Sequence, residues 1–247
     1  MIDPLHQFQI QRLIPISIAG WDISYTNSAL WMTVGLIIVF LFFFMALRNE
    51  QMVPNRLQAA AEMVFCFISD MVKTYIGREG LPFFPFIFTL FWFVLMGNLL
   101  GLLPFSFTYT SHILVTFSLA IVAFLAANVV GFKKHGLGIF RLFLPKGVPI
   151  FLAPLMILIE LVSYLARPFS LSIRLFANMM AGHLILKLFA GFSVLLGKAG
   201  PLLAVAGIVP LMLNIGITGL EFLVAVLQTY VFTLLTCLYI NDAINLH

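Results

Sequence analysis

The sequence predicts an all-α integral membrane protein made of five apolar segments and one amphipathic helix. Three observations carry that prediction. Of its 247 residues, 62% are hydrophobic and only 9% are charged, against about 25% charged in soluble domains. The mean hydropathy is +1.12. The apolar residues gather in runs of about 20 or more, the length a helix needs to cross a hydrocarbon core of about 30 Å. No polar stretch between the runs is long enough to fold separately, so residues 1–247 read as a single membrane domain.

The N-terminal residues 1–26 carry Asp3, Arg12 and Asp22 and lack the basic-then-apolar pattern of a cleaved signal peptide. The first apolar run, 27–47, is therefore expected to stay in the mature chain as a span, closed by Arg48, Glu50 and Arg56. Residues 57–76 differ. Met63, Phe67 and Met71 recur at i, i+4 and i+8, set off from Glu62, Asp70 and Lys73. That pattern predicts a helix lying in the membrane interface. The alternative is a weakly hydrophobic span packed against protein. Runs 83–103, introduced by LPFFP, and 113–132 predict a spanning hairpin whose loop, 105–112, has no lysine or arginine. Two longer runs follow, 148–189 and 201–240, joined by GFSVLLGKAG. Each would extend roughly 60 Å as a helix, twice the bilayer core. Neither holds a polar break suited to a turn. Each is expected to be one strongly tilted or bent helix, with Pro154, Pro168 and Pro210 as places for bends, and the two form a hairpin. Two short spans in each run are the alternative.

Charge placement sets the orientation. The net charge of +4 comes from basic residues in connectors beside apolar runs, which argues for membrane orientation and against a nucleic-acid partner. Arg48, Arg56, Lys73 and Arg78 fall in one connector, and Lys133, Lys134, Arg141 and Lys146 in another. The loop 105–112 has none and the N-terminal tail has one. With five crossings, both basic connectors face the cytoplasm (or matrix), the N-terminus lies outside and the C-terminus inside. Cys66 and Cys237 are isolated, which suggests neither a disulfide framework nor a metal site. Gly77-Arg78-Glu79-Gly80 lacks the ending of a phosphate-binding loop. His6, His112, His135 and His247 read as single solvated histidines in loops or tails. No internal repeat is visible, which weighs against an inverted-repeat transporter.

The informative residues lie inside the long runs. Arg174 holds a permanent charge in an apolar stretch, at a cost of roughly 2.5–3.5 kcal/mol on insertion scales. Glu160, Arg167 and Arg174 are spaced by sevens, Asn178 follows four later, and Ser163 and Ser170 lie beside them. Asn214, Glu221 and Gln228 are also spaced by sevens, with Thr218 between. A step of seven returns within about 20° on a helix, so each set forms a polar seam. His183 falls on the side opposite Arg174. By chain order, Glu160 is nearest the inner side, Arg174 is near the middle, and His183 and Glu221 share the outer region. Titratable groups interrupted by a fixed cation suit two proton half-channels with a barrier between them. The alternative is that the seams hydrogen-bond the hairpin together. Asn214, Thr218 and a Glu221–His183 pair fit that reading too. One histidine and one glutamate are too few ligands for zinc.

The run Ser170-Leu171-Ser172-Ile173-Arg174-Leu175-Phe176-Ala177-Asn178-Met179-Met180-Ala181-Gly182-His183 resembles the signature of the subunit a family of F-type ATP synthases. Gly219-Leu220-Glu221-Phe222-Leu223-Val224-Ala225, continuing through Gln228 and Tyr230, resembles that family's last helix. The resemblance covers essentially the whole chain, and the pairing of His183 with Glu221 looks like the mitochondrial and related bacterial branch. It implies two long, nearly horizontal helices curving around a ring of c subunits. It also implies that Arg174 faces the rotor carboxylate. His183, Glu221, Asn178 and Gln228 would belong to or border the outer half-channel, and Glu160 and Ser170 the inner one. Arg167, at a position usually basic in the family, and Asn214 and Thr218 are further candidates. The implied partners are the c ring, b-type peripheral-stalk subunits, the rest of the synthase and the lipid bilayer. No cofactor, metal or ATP chemistry is expected in this chain. A bacterial inner membrane is the expected location, with the mitochondrial inner membrane as the alternative. A stand-alone secondary transporter and a structural scaffold are the competing functions.

Overall fold

A computed structural model describes residues 9–15, 17–18, 21–22, 24–48, 51–103, 106–136, 138 and 151–245. Expectations that fall on Asp3, His6, Glu50, Arg141, Lys146, 148–150 and His247 lie outside the described residues. The helices are α1 (Asn27–Leu47), α2 (Arg56–Tyr75), α3 (Phe84–Gly101), α4 (Ile113–His135), α5 (Ala153–Lys198), α6 (Pro201–Ala206) and α7 (Ile208–Ile244). A 3₁₀ turn, Arg78–Phe83, leads into α3, and a second one, Tyr109–Ser111, precedes α4. Among the described residues, five helical segments are long and apolar enough to cross a membrane: α1, 78–101, α4, α5 and α7.

The two long runs differ in detail from the expectation. The first forms one helix without a central turn, passes through Pro168 and continues to Lys198. The apolar residues of GFSVLLGK stay helical despite Gly191 and Gly197, each costing only about 1 kcal/mol. The turn itself is Ala199–Gly200, and Gly200 takes φ +136°, which an L side chain would strain. The second run is interrupted at Gly207, which separates α6 from α7. Gly207 N still donates to the Leu203 carbonyl at 3.0 Å, and the Gly207 carbonyl accepts from Ser193 Oγ at 2.9 Å. The N-terminal segment adds two short strand pairs that an all-α reading leaves out. In the sequence RLIPISI, β-branched residues alternate with others. β1 (Arg12–Ile14) pairs antiparallel with β4 (Tyr25–Thr26), and β2 (Ser17–Ile18) with β3 (Trp21–Asp22).

The chain divides into two compact units whose boundaries fall within α1, α3, α5 and α7. The first comprises Met1–Leu41, Phe93–His112 and Leu175–Thr229. In it, the connector after α3 is packed rather than solvated: Thr108, Tyr109, Thr110 and Ser111 are all buried. Gly97 and Gly101, one turn apart on α3, make room for it. A Cβ at Gly97 would lie 2.6 Å from the Tyr109 ring, and one at Gly101 would lie 2.4 Å from Thr108 Cγ2. Tyr109 Oη donates to the Phe93 carbonyl at 2.8 Å. Buried Asn98 donates through Nδ2 to the Ala225 carbonyl at 3.3 Å and to Thr229 Oγ1 at 3.2 Å, tying α3 to α7.

His112 is half-buried, not solvated as a lone loop histidine would be. Its ring stacks on Phe107 at 5.1 Å. Burial lowers its pKa from the ordinary 6.5. Below 6.5 the unfolded chain therefore binds this proton more readily, and stability falls as pH drops through that value. His112→Gln is expected to flatten the change in thermal midpoint between about pH 7.5 and about pH 5.5.

The second unit comprises Phe42–Trp92, Ile113–Arg174 and Tyr230–His247. On α2, Asn55 Oδ1 accepts from Arg56 N at 2.7 Å as the N-cap. The protein-facing side of α2 is Ala61, Ile68 and Val72. The expected stripe is divided: Met71 is buried with the small and branched residues, Met63 is exposed, and Phe67 is part-covered by the Phe91 and Tyr230 rings at 6.4 and 5.9 Å. Phe65, Phe84 and Phe88 stack together at 4.8–6.1 Å. Along α4, Thr116, Ala120, Ala123, Ala127 and Gly131 form a buried stripe of small residues against which α5 lies close. Thr116 Oγ1 and Ser172 Oγ are 3.1 Å apart, and Tyr164 Oη donates to Asn128 Oδ1 at 2.7 Å. His135 also departs from the solvated reading, since its Nε2 donates to the Ile244 carbonyl at 2.8 Å and caps α7.

Candidate functional site

The first unit gathers the seam residues that follow Leu175. Glu221 is 2% exposed, and neither carboxylate oxygen has a hydrogen-bond partner among the described residues. It fits because Gly182 faces it: a Cβ there would stand 2.1 Å from Glu221 Oε1. The carboxylate thus adjoins the residue before His183. His183 Nε2 is hydrogen-bonded to Thr108 Oγ1 at 3.0 Å, so the packed connector holds the imidazole. Asn178 Nδ2 donates to Gln228 Oε1 at 3.0 Å, joining the two seams directly. His183, Asn214 and Thr218 border a cavity of about 790 Å³, together with Gln11, Ser106 and Lys187. Its lining mixes hydroxyl, amide and charged groups, a surface that water wets.

The second unit holds the other seam residues in different surroundings. Arg174 is exposed, and among the described residues no carboxylate lies within ion-pair distance of it. Ser163 and Ser170 are exposed and Glu160 is half-buried. Arg167 is not free: its Nη1 is 2.8 Å from Asp242 Oδ2, and its guanidinium lies 5.5 Å from the ring centres of both Tyr164 and Tyr239. Such a pair, each partner about one-quarter to one-third exposed, fixes α5 to α7. Arg167→Ala would leave Asp242 uncompensated, and a stability loss of about 1–3 kcal/mol is expected. The thermal midpoint of the detergent-solubilised complex checks this, with Asp242→Asn predicted to shift it the same way.

Patterning by sevens finds Glu160, Arg174, Glu221 and Gln228 but misses Thr108, Asp242, Asn98 and Gly182. Asp242 sits beyond the apolar run and reads as tail. Thr108 sits in a connector that reads as solvated, although Gly97 and Gly101, four apart on the preceding helix, signal a close approach.

The chain matches the model of the family described as ATP synthase A chain over residues 29–241. It is 51% identical over 247 residues to an ATP synthase subunit a of Rhodospirillum rubrum, covering 100% of both chains. It is 50% identical over 244 residues to that of Mesorhizobium japonicum, covering 99% of this chain and 97% of the relative. The subunit a of Parvibaculum lavamentivorans is 49% identical over 244 residues, with 99% and 94% covered. A family match across nearly all five membrane helices, joined by full-length relatives at about half identity, places the chain in the ATP synthase A chain (subunit a) family.

Proposed function

We propose that this chain is the stator subunit a of a rotary F-type ATP synthase. In this reading it supplies two offset proton half-channels to the carboxylates of a c ring, and Arg174 separates them. The observation that carries the reading is the contrast between Arg174, exposed and with no carboxylate in ion-pair distance among the described residues, and Glu221, buried beside Gly182. One presents a fixed charge to a partner. The other keeps a titratable group out of solvent, packed against Gly182.

An ionised rotor carboxylate is costly in lipid and stabilised opposite Arg174. A proton arriving by way of the cavity, His183 and Glu221, with Asn178 and Gln228 alongside, neutralises that carboxylate. The neutral group enters the lipid and the ring turns. On completing the turn it releases its proton toward Glu160 and Ser170. An arginine stays protonated, so protons do not hop between the paths through it. Each proton crossing about 100 mV contributes about 2.3 kcal/mol. The chain turns that into torque and makes no ATP. α5 and α7, at 46 and 37 residues, lie strongly tilted so that their exposed faces follow the ring. The membrane is the bacterial inner membrane, with the N-terminus outside, the C-terminus inside and α2 in the interface. Peripheral-stalk b-type subunits hold the chain against rotation.

Mild solubilisation and affinity purification of the chain test this. An oligomer of a small two-helix proteolipid should accompany it in several-fold excess. Recovery of a self-associated chain alone overturns the stator reading and favours a scaffold.

A further inference from the structure

A recess of about 590 Å³ opens in the second unit, away from the seams. Phe83, Phe86, Val129 and Ile240 line its walls, and Glu79, Lys133 and Lys134 stand at its rim. The two lysines occupy the last turn of α4, the end of a segment long and apolar enough to span the bilayer, which puts them at headgroup level. Glu79 is ion-paired with Lys134. Lys133 is exposed and has no carboxylate partner among the described residues, so the rim carries a net positive charge.

The occupant must match both parts. A soluble anion would satisfy Lys133 and leave the apolar walls open. A neutral lipid would fill the walls and leave the lysine unmatched. We propose that the recess is a binding site for an anionic phospholipid, with an acyl chain between α3, α4 and α7 and the phosphate at Lys133 beside Lys134. The site requires only that α4 span the membrane and is independent of the proton path.

The test uses the assembled complex in phosphatidylcholine proteoliposomes carrying a trace of photoactivatable-acyl phosphatidylglycerol or phosphatidylcholine. Labelled peptides are mapped by mass spectrometry. Phosphatidylglycerol should label the segments around Phe86 and Val129 about fivefold more than phosphatidylcholine, the weight of one surface lysine against an anionic headgroup. Lys133→Gln should remove that preference, and Ala126→Trp, which fills the recess, should remove labelling by both lipids. Equal labelling by the two lipids, a preference that survives Lys133→Gln, or a crosslink from this site to another polypeptide overturns the proposal. ATP-driven pumping is recorded in the same preparations. Lost pumping with labelling intact would bear on the proton path alone.

Discussion

Arg174→Ala in the assembled complex is expected to abolish ATP-driven acidification of inverted vesicles, to below about a tenth of the wild-type rate, while passive proton leak rises. The side chain is exposed and has no ion-pair partner among the described residues, so its removal leaves no buried charge uncompensated. Assembly should survive. What is lost is the fixed charge that holds an ionised partner carboxylate in an apolar setting and blocks proton hopping. Arg174→Lys separates these two roles. A lysine is cationic in water but sheds its proton when buried, so some torque should return while the leak persists. Normal pumping in Arg174→Ala would overturn the half-channel reading.

Gly182→Ala is the second large effect. The new Cβ would fall 2.1 Å from Glu221 Oε1, 2.7 Å from Cδ and 2.9 Å from Cγ. The carboxylate has no open solvent to retreat into, being 2% exposed. Moving it costs about 1–3 kcal/mol, as overpacking does elsewhere. Proton conduction through the membrane sector is expected to fall about tenfold, since 1.4 kcal/mol is a factor of ten. The complex should remain assembled. Glu221→Asp, shorter by one methylene, should partly restore conduction when combined with Gly182→Ala. Gly191→Ala is the control, because nothing lies within 4 Å of its Cβ position. Unchanged conduction in Gly182→Ala would mean that the position of the Glu221 carboxylate is not used.

Much of this was legible in the chain because lipid imposes simple rules on sequence. Apolar length marks α1, α3, α4, α5 and α7, and the step of seven marks Arg174 and Glu221 as interior charges worth explaining. What escaped depends on contacts between distant segments. Gly182 matters only because Glu221 packs on it, across 39 residues of sequence. Thr108 matters only because it meets His183. Arg167 belongs to the same periodic set as Arg174, yet Asp242 takes it out of the exposed face and turns it into a strut. Periodicity records which residues share a face. It does not record which neighbour that face finds.

The packed connector between α3 and α4 also has a practical consequence for protein engineering. Short polar loops between membrane helices are the usual places for epitope tags, protease sites and fluorescent labels, because exposed loop tips tolerate insertion. Here Tyr109 is 1% exposed and Thr110 0%. One added residue would shift Thr108 off Gly101, Tyr109 off Gly97 and the hydroxyl away from His183 together. A tag at 106–111 would therefore silence the protein it was meant to report on. The exposed residues Met52 to Pro54, between the Gln51–Gln58 contact and the Asn55 cap, offer a safer place for a probe.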